Sequence, residues 1–228
     1  MKRVFAPGCG LMLYKPHYAD KLDEYLNRDS SSIEQFHVCC HHEPGFKEPT
    51  EVINVCPGCD KRFRQNYENC STISLWEILA AVDDYPFLDY GGTKMSIIDA
   101  CPTRGQTRVH QAVRTLLNRM NIQLVEPKNT GTRGTCCGDS AYGLVPDEEL
   151  KAMMQKRAGE MPAENVVVYC VSCIKSMHIG GRKPRYLIDL LFGEDTEPQI
   201  YEPRLWHKQL EDYIEQHKVS CASNSSKP

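Results

Sequence analysis

Cysteine recurs along this chain in one order, twice: a single cysteine, a vicinal pair, a Cys-x-x-Cys, then an apolar helical segment. The first pass is Cys9, Cys39-Cys40, Cys56-Pro57-Gly58-Cys59 and Leu75-Trp76-Glu77-Ile78-Leu79. The second is Cys101, Cys136-Cys137, Cys170-Val171-Ser172-Cys173 and Leu187 to Phe192. Duplication is the economical explanation. It divides the chain into a first cysteine-rich half over 1–90, a second over 95–193, and a C-terminal helix and tail over 194–228, with Gly91-Gly92-Thr93-Lys94 as the joint.

Each cysteine group trails a short apolar run. Lys2 to Phe5, Ile33 to Val38, Glu51 to Val55, Met95 to Ile98, Ile122 to Val125 and Val166 to Tyr169 read as strands. Helical spacing of apolar residues marks His17 to Asn27, Thr72 to Ala81, Gln106 to Met120, Pro146 to Arg157, Leu187 to Phe192 and Arg204 to Lys218. Strands alternating with helices predict an α/β fold with mainly parallel sheets in two homologous halves. The cysteines then fall in loops at the carboxyl ends of the strands, where such sheets place their ligands. Three loops per half can converge on one point, as a metal site requires. The last helix is expected to pack on its own core, and the Ser/Asn/Lys tail after it to be disordered.

Composition decides what the thiols are for. With 41% hydrophobic and 25% charged residues, the chain can bury an ordinary core, and its net charge of −3 gives no footprint for nucleic acid or an anionic membrane. No run nears the roughly 18 apolar residues of a membrane span, and Pro7-Gly8 interrupts any signal-peptide core. A cytoplasmic location is expected. In that reducing compartment twelve cysteines point to metal binding or catalysis instead of disulfides, and vicinal pairs make poor structural crosslinks.

The second half runs Cys101, Cys136-Cys137-Gly138, Cys170-Val171-Ser172-Cys173, with thirty-four residues between Cys101 and Cys136 and thirty-two between Cys137 and Cys170. This spacing resembles the CCG (cysteine-rich) domain family, which includes the CCG-bearing component of heterodisulfide reductase and related iron–sulfur proteins. Asp99-Ala100-Cys101-Pro102 is similar to the family's Asp-Pro-Cys-His, Leu124-Val125-Glu126 to its lead-in to Cys-Cys-Gly, Pro7-Gly8-Cys9 to its Pro-Gly-Cys, and Cys56-Pro57-Gly58-Cys59 to its Cys-Pro-x-Cys. The resemblance implies two iron–sulfur clusters of the noncubane [4Fe–4S] type. One would be held by Cys101, Cys136, Cys137, Cys170 and Cys173, the other by Cys9, Cys39, Cys40, Cys56 and Cys59. It further implies an oxidoreductase that splits a small disulfide between facing clusters, each sulfur taken by iron, while a partner protein delivers electrons.

The first half departs from the pattern. His41-His42 stands where the motif has glycine, and only fifteen residues separate Cys40 from Cys56. Zinc therefore stays open there, since Cys-x-x-Cys with distant partners is also a zinc signature. His41 and His42 are the candidate catalytic proton donors, or solvated loop side chains. Arg104, Arg108 and Arg133 near the second cysteine set, and Lys61, Arg62 and Arg64 after the first, can stabilise thiolates, bind a carboxylate-bearing substrate, or be ordinary surface charge. Cys70 and Cys221 lie outside both motifs and read as a buried thiol and a tail cysteine. The chain has no Gly-x-Gly-x-x-Gly and no ferredoxin-like cysteine run, so an electron-donating partner is expected. Two readings of other classes remain: a non-catalytic electron-transfer or scaffold subunit, and a zinc-stabilised interaction module.

Overall fold

The computed structural model describes residues 1–29, 31–198 and 202–218. The chain is α/β, with two four-stranded sheets whose paired strands are all parallel. In the first sheet β1 (Lys2–Ala6), β2 (Glu34–Gln35), β3 (Thr50–Asn54) and β4 (Cys70–Ser74) lie in the order β2-β1-β3-β4. The second repeats that order with β5 (Lys94–Ile97), β6 (Gln123–Leu124), β7 (Asn165–Val168) and β8 (Lys183–Tyr186), arranged β6-β5-β7-β8. The duplicated cysteine pattern is thus matched by a duplicated topology.

Central strands carry the continuous apolar runs that burial on both faces demands: Val4-Phe5-Ala6, Val52-Ile53 and Val166-Val167-Val168 are all buried. The helices that cover them are α1 (Gly8–Tyr14), α2 (His17–Leu26), α3 (Pro57–Asn66), α4 (Leu75–Ala81), α5 (Thr107–Arg119), α6 (Asp147–Gly159), α7 (Val171–Ile179), α8 (Leu187–Phe192) and α9 (Pro203–Gln216). Ser74 caps α4 with a full capping box, its hydroxyl accepting from Glu77 N while the Glu77 carboxylate accepts from Ser74 N.

One hydrophobic core cluster runs through both halves, from Phe5, Tyr18 and Trp76 to Ile97, Leu116 and Val167, and a smaller one in the first half gathers Val4, Val52 and Phe63. Helix α4 packs on α5, and α1 on α7, across the junction. A buried carboxylate latches the halves together. Asp189 of α8 accepts from the Tyr14 and Tyr18 hydroxyls at 2.7 Å each, from Lys15 Nζ at 2.8 Å and from Thr196 Oγ1 at 2.8 Å.

Several sequence expectations are corrected. Thr72 to Ala81 is not one helix, because Cys70–Ser74 is a strand in register with Thr50–Asn54 and helix begins only at Leu75. Helices α3 and α7 begin inside the two Cys-x-x-Cys segments, and β8 precedes α8. Not every cysteine is in a loop, since Cys9, Cys59 and Cys173 sit in the first turns of α1, α3 and α7. Cys70 is half-buried at the start of β4, not a core thiol. Cys221 and the tail beyond residue 218 lie outside the described residues. No described helix is long and apolar enough to cross a membrane.

Candidate metal centre

The carboxyl ends of both sheets open onto one cavity of about 320 Å³, and all ten motif cysteines except Cys39 line it. Cys39 is 4% exposed and lines a small adjoining void with Cys9, Cys40, Cys59 and Tyr213. Chain direction explains the convergence. β1 leads into Cys9, β3 into Cys56 and Cys59, and β2 into Cys39-Cys40, while β5, β7 and β6 deliver Cys101, Cys170 with Cys173, and Cys136-Cys137 in the same way.

Close backbone approach fixes the first half. Gly8 has φ +80°, and a Cβ there would stand 3.1 Å from Cys59 Sγ, so the chain can pass the sulfur only without a side chain. Cys56 precedes α3 and its carbonyl accepts from Asp60 N at 3.0 Å. Asp60 is buried, receives Asn54 Nδ2 at 3.2 Å, and also receives Gln106 from the second half.

In the second half a phenol ties two cysteine loops together. The Tyr169 hydroxyl, adjacent to Cys170, accepts from Ala100 N at 3.0 Å, meets Thr103 Oγ1 at 3.0 Å and donates to Asp99 Oδ1 at 3.1 Å. Asp99 is clamped by Arg114 at 2.8 and 3.1 Å and receives Gly131 N at 2.6 Å. Burial would raise its carboxyl, but the Arg114 hydrogen bonds and charge outweigh burial and hold it at about 2. The Cys101 loop is therefore anchored by a charged, fully bonded network.

The vicinal pairs differ in backbone for a packing reason. Gly138 has φ +106°, and a Cβ there would lie 2.9 Å from Met154 Cγ and 3.1 Å from Met154 N, because α6 presses against it. The fifteen residues between Cys40 and Cys56 contain no corresponding helix. His41 accordingly needs no positive φ, and a side chain is tolerated where the second half requires glycine. His41 lines the cavity beside Cys40. Its imidazole is held below the usual range, first by burial and then by the Arg62 charge. His42 hydrogen-bonds the Ile214 carbonyl of α9 at 2.7 Å and is not part of the cavity wall.

The eleven described cysteines are free thiols. Thiol-to-thiol hydrogen bonding links five sulfurs per half in one order: Cys9, Cys39, Cys40, Cys59, Cys56 in the first, and Cys101, Cys136, Cys137, Cys173, Cys170 in the second. In each, the first cysteine of the vicinal pair is the thiol most readily ionised. Cys39 is lowered to about 2 by hydrogen bonds from Cys40 and Cys9, and Cys136 is strongly lowered by those from Cys101 and Cys137. Ser140 Oγ at 3.0 Å and Gly138 N at 3.4 Å add to the Cys136 set. Hydrogen bonding to their neighbours pushes Cys9, Cys40 and Cys59 up, and Cys101, Cys137 and Cys173 likewise. The Cys59 hydrogen bond brings Cys56 to about 7. Among the described residues no three His, Cys, Asp or Glu side chains form a set for a single metal ion.

Sequence reading missed the fourth wall of the cavity. As expected, helix α9 packs on the body of its own chain, against α1, and in doing so it brings Trp206 and Leu210 into the cavity lining. It is held by Trp206 Nε1 to Ser172 Oγ at 3.1 Å, His207 to Asp139 at 3.3 Å, and the His217 carbonyl accepting from Cys39 N at 3.1 Å. Asp139, the carboxylate of the wall, is also paired with buried Lys175. Cys70 is remote from the cavity lining, and burial pushes its thiol up to about 11. No protein-family model matches the chain, and a search of curated proteins returned no significant match.

Proposed function

We propose that this chain is a cytoplasmic iron–sulfur protein of the CCG kind, resembling the CCG-bearing component of heterodisulfide reductase, that reduces a small disulfide with electrons from a partner protein. One observation carries the reading: nine of the ten motif thiols, drawn from two repeated sets, line one cavity at the ends of two matching sheets. The donor chemistry fits, because five soft sulfurs in each of two repeated sets exceed what a closed four-ligand ion site needs. Cys101, Cys136, Cys137, Cys170 and Cys173 would hold one cluster, and Cys9, Cys39, Cys40, Cys56 and Cys59 a second. When bound, such clusters supply one-electron redox chemistry and iron with an affinity for sulfur.

The chain's own residues supply the setting. The Tyr169–Asp99–Arg114 network holds the Cys101 and Cys170 loops at a fixed separation. Trp206, Leu210, Leu11 and Val171 give the space lined by the thiols an apolar wall. Of the two histidine candidates, only His41 lines that space.

Anaerobic purification followed by iron, acid-labile sulfide and zinc analysis tests the cofactor. Iron with labile sulfide is the expected outcome, and stoichiometric zinc without sulfide overturns it. Thiol release from a disulfide in the presence of reduced methyl viologen then separates an enzyme from an electron relay or scaffold.

A further inference from the structure

Six cations flank the cysteine motifs, and the cavity sorts them. Arg64 pairs with Asp60 at 3.4 Å, Arg108 with Glu77 at 3.5 Å, and Arg104 donates to the Gly134 carbonyl at 3.2 Å. Lys61 and Arg133 are not in the lining. Arg62, one turn beyond Cys59 on α3, is in the lining, and it has neither an ion pair nor a side-chain hydrogen bond among the described residues. The carboxylate of the same wall, Asp139, is already paired with the Lys175 ammonium and in hydrogen-bond contact with His207. Apart from the thiols and His41, the wall beside Arg62 is dominated by apolar groups such as Leu11, Val171, Trp206 and Leu210.

An apolar chamber with one uncommitted guanidinium at its edge selects for a small molecule with carbon arms and a planar anion. The guanidinium fork matches a carboxylate in two parallel hydrogen bonds. We propose that Arg62 anchors the carboxylate of a small disulfide whose arms lie against Leu11, Val171, Trp206 and Leu210. The inference rests on the disulfide-reduction reading and adds its substrate class. The reaction is R–S–S–R plus two electrons and two protons giving two R–SH: the S–S bond breaks, two S–H bonds form, two one-electron donors are oxidised, and the protons come from solvent.

The test uses anaerobically purified, metal-loaded protein and three disulfides: dithiodipropionate (anionic), hydroxyethyl disulfide (neutral) and cystamine (cationic). Binding is measured by titration calorimetry without an electron donor, and turnover with reduced methyl viologen. Arg62→Leu should weaken dithiodipropionate binding and raise its KM about tenfold or more, as expected for loss of a charge-assisted pair at a partly open site. Hydroxyethyl disulfide should change less than about twofold, and Arg62→Lys should recover part of the loss because it keeps the charge without the fork. Equal iron and sulfide content confirms that both variants are intact.

Unchanged dithiodipropionate binding in Arg62→Leu, equal losses for all three disulfides, or no disulfide binding by the parent protein would each overturn the anchor. If the parent protein binds dithiodipropionate through Arg62 yet releases no thiol with viologen, the anchor stands and disulfide reduction fails.

Discussion

The carboxylate at the junction of the halves gives the sharpest test of what holds them in register. Asp189 is fully buried and accepts four hydrogen bonds, from Tyr14, Tyr18, Lys15 and Thr196. Truncation to alanine leaves Lys15 with Glu194 at 3.1 Å and the Asp195 carbonyl at 3.0 Å, so the ammonium keeps partners. The Tyr14 and Tyr18 hydroxyls, in side chains that are at most 5% exposed, each lose their shortest acceptor. Buried groups deprived of a charged partner cost about 1–3 kcal/mol each, non-additively, so Asp189→Ala should destabilise by about 3 kcal/mol. For a chain of this size that lowers Tm by about 6–12 °C. Asp189→Asn, which keeps one acceptor oxygen, should lose about half as much. Differential scanning calorimetry or urea unfolding reads the effect. In a Tyr14→Phe, Tyr18→Phe background the alanine substitution should cost distinctly less, because the donors it abandons are gone. A cost within about 0.5 kcal/mol of zero, or one unchanged by the double phenylalanine background, would refute the latch.

The remaining predictions concern acid, backbone and ligands. Burial raises the Glu194 carboxyl, but hydrogen bonds from Lys15, Tyr18 and Lys21 outweigh it and hold it at about 2. Its stabilising contribution is therefore present above its unfolded pKa of about 4.3 and fades as pH falls toward 2, so the Tm gap between parent and Glu194→Gln should narrow from pH 6 to pH 3. Gly138→Ala should destabilise by about 1–3 kcal/mol through its positive φ and the Met154 contact, whereas His41→Gly should cost no more than about 1 kcal/mol in thermal unfolding. Cys136→Ser or Cys137→Ser should remove the iron of the second half, and Cys70→Ser should leave iron content unchanged on metal analysis.

Both sheets and the order of the cysteines were legible because repetition and apolar runs are local properties. The edge strands β4 and β8 were not, although the opposite edges, β2 and β6, were. β8 reads Lys-Pro-Arg-Tyr, and a proline that cannot join an inner ladder hides a strand lying at the sheet margin. β4, Cys-Ser-Thr-Ile-Ser, has one strongly apolar residue, so its tail merged with the helical pattern of Leu75 onward. Pro57-Gly58 looks like a turn, yet proline at the first helical position starts α3. The placement of Trp206 over the thiols depends on contacts such as its bond to Ser172, 34 residues away, which no local pattern encodes.

Helix α9 also imposes an order in time. A nascent chain synthesised as far as Gly193 already contains the ten motif thiols and both sheets, but lacks Trp206, Leu210 and the clasp from the His217 carbonyl to Cys39 N. Translation at about 5–20 residues per second leaves the thiol-bearing face open to solvent for on the order of seconds before its cover emerges. The covering wall is thus the last part of the chamber to be made, and whatever the thiols bind has a route to them that the finished protein narrows.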